Sequence, residues 1–87
     1  MLYRIYTERT NTDKVKNTVS QDLEGFTVLN GTGYWHGQSE KSLIIEAVLT
    51  ASEKNKQKIR DIAQRIKDIN SQDAVLIQSL ENNSEFI

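Results

Sequence analysis

A chain of 87 residues with eleven basic and twelve acidic side chains has the size of one small domain, and its net charge of −1 announces neither a polyanion nor an anionic membrane as partner. The absence of cysteine excludes disulfides, thiolate metal sites and a cysteine nucleophile together. At this size about 60% of the unfolded chain's surface is buried on folding, so help from a partner chain is expected. The opening MLYRIYTER is too short and too charged for a secretory h-region, and no run approaches the length of a membrane span. The expectation is a cytoplasmic protein.

Leu2 to Thr7 (LYRIYT) is aromatic and β-branched without a breaker and reads as a strand. Asn11-Thr12-Asp13 is a helix-start signature, and Val15, Val19 and Leu23 then form one apolar stripe, closed by Gly25. Phe26 to Asn30 resumes strand chemistry. The stretch GTGYWHGQSEK, residues 31–41, concentrates three of the four glycines with the lone tryptophan and the lone histidine, and reads as a glycine-rich loop. Lys41 to Thr50 (KSLIIEAVLT) is the most β-like segment of the chain, so the loop joins or extends a hairpin. Ser52 can cap a second helix, in which Ile59, Ile62, Ala63, Ile66 and Ile69 recur at helical spacing. The basic residues flanking that stripe read as stems lying beside a core face rather than as a phosphate groove. Asn70-Ser71-Gln72-Asp73 turns the chain into a last strand, Ala74 to Leu80, followed by the tail ENNSEFI.

The order is βαββαβ in a single domain spanning residues 1–87. Two βαβ units sharing one four-stranded antiparallel sheet, with right-handed crossovers that put both helices on one face, give the α+β ferredoxin-like sandwich. Along the third strand Leu43, Ile45, Ala47 and Leu49 point one way, while Ile44 and Val48 flank Glu46 on the other. A monomer would make its solvent face more polar, so this pattern predicts self-association through the open face. Arg4 and Glu46 could meet on that face.

Tyr34-Trp35-His36-Gly37, then Glu40, then Leu43-Ile44-Ile45 resemble a segment of the CutA divalent-cation-tolerance proteins, and the order of elements through Asn83-Ser84-Glu85-Phe86-Ile87 continues the likeness over residues 29–87. CutA proteins share their fold with the PII signal proteins, and the resemblance implies a homotrimer with ligand clefts between subunits. The chain departs from the family at Asn70-Ser71-Gln72-Asp73, where CutA has an acidic, histidine-containing turn, and at Glu46, where a basic residue is usual. The pattern Gly31-x-Gly33-x-Trp35-x-Gly37-x-x-Glu40-x-Ser42 is also similar to small uncharacterised bacterial and phage proteins, a likeness that implies no activity.

In this topology the end of the first strand, the hairpin and the turn before the fourth strand lie at one end of the sheet. The candidate ligand site is therefore Arg9, Gly31, Gly33, Tyr34, Trp35, His36, Gly37 and Lys41. Glycine amides would take phosphate oxygens, Tyr34 or Trp35 would stack on a flat ring, and Arg9 or Lys41 would neutralise charge. His36 with Glu40 alone makes a poor metal site, because zinc takes three or four protein ligands, and no motif ties His36 to a nucleophile. No metal site, no catalytic residue and no cofactor is predicted. The strands lack the aromatic pattern of RNA-recognition domains, so nucleic acid is not an expected partner. The expected function is non-enzymatic binding, for sensing or sequestering, of a small anionic metabolite such as a nucleotide between subunits of a homotrimer. The alternatives are a CutA-like divalent-metal protein and a small cofactor-independent enzyme using His36.

Overall fold

The computed structural model describes residues 1–81 and contains six elements in the predicted order. They are β1 (Leu2–Glu8), α1 (Thr12–Asp22), β2 (Thr27–Trp35), β3 (Gln38–Val48), α2 (Glu53–Asn70) and β4 (Leu76–Leu80). The strands form one antiparallel sheet in the order β2-β3-β1-β4, which is the ferredoxin-like arrangement. The resemblance noted for residues 83–87 lies outside the described residues.

Alternation builds the core. Tyr3, Ile5 and Thr7 of β1 stand opposite Ala47, Ile45 and Leu43 of β3, and all six are buried beneath the helices. Helix α1 contributes Val15 and Val19 and is followed by Leu23, while α2 contributes Ile59, Ile62, Ala63 and Ile66 to the same cluster. Each of the larger aliphatic side chains removed from water stabilises the fold by about 1.5–3 kcal/mol. Ser52 caps α2 as predicted, its Oγ accepting from the Asn55 N–H at 3.1 Å. The Arg65 guanidinium ties α2 to the end of α1 by reaching Asp22 at 2.6 Å.

Among the described residues, nothing covers the other sheet face. Leu29, Trp35, Val48, Leu76 and Leu80, five large exposed apolar side chains, all project from it. At its middle, Arg4 and Glu46 are cross-strand partners joined by a hydrogen-bonded ion pair of 3.1 Å. That hydrogen bond is the chief reason the Arg4 guanidinium holds its proton more tightly than an isolated arginine does.

The structure differs from the sequence expectation most at residues 31–41. Instead of a loop, β2 runs on to Trp35 and β3 begins at Gln38, so the segment is a paired ladder closed by His36-Gly37. His36 (φ 50°) and Gly37 (φ 76°) both take the left-handed conformation, which suits a two-residue hairpin turn to the twist of its strands. The glycine at 31 has a different cause: a Cβ there would lie 3.0 Å from Ser42 Oγ and 3.3 Å from Ile44 Cδ1. Four cross-strand pairs, Thr32–Lys41 through Trp35–Gln38, project beyond the last β1–β3 pair, Glu8–Ser42. At the other boundary, β4 begins at Leu76 rather than Ala74.

Gly37→Ala should lower stability by about 1–2 kcal/mol, because the new Cβ meets nothing within 4 Å and only the left-handed backbone is penalised. Gly25→Ala, equally open and without a left-handed backbone, should change it by less than about 0.5 kcal/mol in parallel urea titrations.

Candidate functional site

Three parts of the chain converge at the end of the sheet from which the hairpin projects. The first strand ends at Glu8, and the Arg9 N–H extends its ladder by one bond, donating to the Lys41 carbonyl at 3.1 Å. Helix α2 ends with Ser71 in the left-handed conformation (φ 51°). Its last carbonyls are satisfied there by Ser71 N–H to Asp68 O, 3.3 Å, and Gln72 N–H to Lys67 O, 3.0 Å.

Side-chain amides lock these parts together. Asn70 Nδ2 donates to Thr7 Oγ1 at 3.2 Å and to Gln72 Oε1 at 3.0 Å, while Thr7 Oγ1 donates to Gln72 Oε1. Gln72 Nε2 in turn donates to the Ala74 carbonyl at 3.2 Å. Asn11, placed by sequence at the start of α1, does precede that helix, but its side chain caps nothing there. It has φ 50°, and its Nδ2 donates to Asn70 Oδ1 at 3.1 Å. Thr7 is 4% exposed, so its hydroxyl is a buried polar group that the two amides satisfy.

Beside this network opens a cleft of 690 Å³, within the range of small-molecule sites. Tyr6 and Glu8 of β1 form one side, and Gln72, Asp73 and Leu76 another. The hairpin supplies the third, with Gly33, Tyr34, Trp35, Glu40 and Lys41. Tyr34 and Trp35 are 75% and 70% exposed, on opposite faces of the hairpin. Opposite Gly33 stands Glu40, so the carboxylate lies beside backbone that no side chain covers. Glu8 pairs with Ser42, two residues along the same face of β3 from Glu40. Among the described residues neither Glu8 nor Glu40 forms an ion pair.

Of the predicted site residues, Gly33, Tyr34, Trp35 and Lys41 line the cleft. Gly31 lies below it in the ladder, His36 and Gly37 form the turn, and Arg9 adjoins through its backbone bond to Lys41. The His36 ring stands edge-on to Trp35, with centroids 4.9 Å apart. Among the described residues no three histidine or carboxylate groups gather where an ion could be held. Nor, among them, is any helix long and apolar enough to cross a membrane. Sequence reasoning missed Tyr6, Glu8 and Glu40 as lining residues and Thr7, Asn70 and Gln72 as their support. Alternation of β1 against β3 was the available signal for the first three; the amide network leaves none in sequence.

No protein-family model matches the chain, and no curated protein matches it. Solved structures that share its fold include the following two. A phage SAM lyase in its apo state superposes with a TM-score of 0.68 at 19% identity, over 87% of this chain and 75% of that one. A DUF3240 family protein from Shewanella baltica gives 0.66 at 13% identity, over 99% and 94%. Identities this low establish the ferredoxin-like fold alone. The resemblance to PII and CutA proteins therefore stands at the level of fold, without assignment to either family.

Thr7→Val removes the hydroxyl and leaves an amide hydrogen of Asn70 and a lone pair of Gln72 unpartnered. It should cost about 1–3 kcal/mol by chemical denaturation, more than Thr18→Ala on the exposed face of α1.

Proposed function

We propose that this protein binds a small nucleoside-type metabolite in the cleft between β1, the projecting hairpin and the β4 turn, and that further copies of the chain complete the site. The observation that carries the reading is the lining: the rings of Tyr6 and Tyr34 border the cleft with uncovered backbone at Gly33, and among the described residues Glu8 and Glu40 form no ion pair. Rings that flank bare backbone suit a flat heterocycle, and stacking on one ring contributes about 1–3 kcal/mol.

Charge refines the ligand. Glu8, Glu40 and Asp73 outnumber Lys41 around the cleft, so a polyphosphate would meet net repulsion. The expected anionic nucleotide thus gives way, in this proposal, to a nucleoside carrying positive charge. SAM, which combines an adenine ring with a sulfonium cation, has that chemistry, and the fold shared with a phage SAM lyase supports testing it first. The same likeness favours a second reading, in which the cleft acts chemically on SAM as well as holding it.

The open face supports assembly. An 87-residue chain that leaves Leu29, Val48, Leu76 and Leu80 uncovered, with the cleft at the margin of the same surface, suits a homotrimer with its sheets turned inward.

Calorimetric titration with SAM, adenosine and ATP tests the ligand class. SAM should bind more tightly than adenosine, and ATP should bind weakest. Tyr34→Ala should weaken SAM binding about tenfold or more, as loss of one stacking ring implies. Glu40→Gln should narrow the gap between SAM and adenosine. Equal or tighter binding of ATP, or no binding by any of the three, would overturn the proposal. Loss of SAM on incubation, followed by mass spectrometry, would establish the second reading, and its persistence with intact binding would dismiss it.

A further inference from the structure

A second cavity, also of 690 Å³, lies at the opposite end of the strands from the hairpin tip. Its apolar lining comes from Leu2, Leu23, Phe26, Val48 and Leu49, where β1 and β2 begin and β3 ends. Three carboxylates border it, Asp22, Glu24 and Glu46, against Lys58. Asp22 is paired with Arg65 and Glu46 with Arg4, which leaves Glu24 without an ion pair among the described residues.

We propose that this cavity is the seat of the hairpin tip of a second copy of the chain, with Trp35 entering the apolar pocket and His36 facing Glu24. Three observations select that occupant. The tip presents two aromatic rings, Trp35 and His36, set edge to face, on an arm whose four overhanging pairs reach about 13 Å beyond β1. The chemistry is complementary: an indole needs apolar walls, and an imidazole has a carboxylate to donate to. Leu2 and Val48 also belong to the bare sheet face, so the cavity continues the surface through which the copies associate.

The contact joins unlike surfaces. In a molecule 38 Å long, tip and cavity lie at opposite ends of the strands, so a copy cannot fill its own cavity. Each copy gives a tip to one neighbour and accepts a tip from the other, a head-to-tail geometry that makes a ring when the rotation between copies closes. Tyr6 and Tyr34 remain for a ligand, and the assembly does not depend on which ligand the cleft takes.

Two variants that break opposite halves of the contact test it by native mass spectrometry. Trp35→Ala removes the plug. Gly25→Trp fills the socket, since a Cβ at Gly25 meets nothing within 4 Å and the residue lines the cavity. Each alone should be monomeric. Mixed, they should give one-to-one heterodimers, because the intact tip of Gly25→Trp fits the intact cavity of Trp35→Ala. Cooperative thermal unfolding of each variant shows that it is folded, and Glu24→Arg serves as the socket variant if Gly25→Trp is not. In the wild type, dilution into the monomeric range should red-shift the emission of Trp35, the lone tryptophan. Variants that keep the wild-type assembly, a mixture that holds monomers only, or Trp35 emission unmoved by dissociation would each overturn the proposal.

Discussion

The pairing of β1 with β3 decides what every other part of this molecule can do. With Ile5 opposite Ile45 and Arg4 opposite Glu46, alternate residues divide into a face that the helices cover and a face that nothing in the described chain covers. A slip of one residue would turn the buried set of β1 to the open face and place Arg4 in the core without Glu46. The Arg4–Glu46 ion pair is half-exposed, which makes it a small contributor to stability and a better marker of register. Once the register is set, the length of β3 does the rest. It outruns β1 by four pairs, and the surplus is the arm that walls the cleft.

The cleft is held by a side-chain network of which Thr7 and Gln72 reach its wall and Asn70 stands outside the lining. Asn70, at the end of α2, uses both hydrogens of its amide and its carbonyl oxygen on Thr7, Gln72 and Asn11. One side chain thereby fixes the end of β1, the start of α1 and the turn into β4 relative to one another. Gln72 has its carbonyl and amide committed within the same network, so its part in the cleft is to hold the wall where Asp73 stands. Such fully satisfied networks specify a single geometry, which a site needs if its ligand is to meet preformed partners.

Much of this was legible in the sequence because the signals were periodic. The stripe Ile59, Ile62, Ala63 and Ile66 could belong to nothing but a helix face, and the alternation in KSLIIEAVLT separated the two sides of β3 in advance. The stretch at 31–41 was misread as a loop because glycine carries two meanings. At Gly37 it supplies a left-handed turn, but at Gly31 it makes room for Ser42 inside a continuous ladder. Glu8 and Glu40 went unnoticed as neighbours because 32 positions separate them in sequence, and only the β1–β3 register brings them to one face. The amide network was invisible for a related reason: Asn and Gln at chain turns are ordinary, and their partners are set by tertiary structure.

The proposal that this chain works as a subunit rests on a face bearing Leu29, Val48, Leu76 and Leu80 and on a projecting arm ending in Trp35. Sedimentation equilibrium of the unmodified protein across the micromolar range tests that claim most directly. The account predicts a mass of three 87-residue chains, falling towards one only on strong dilution. A single-chain mass throughout that range would contradict it, and would leave the open face and the arm without the role argued for them here.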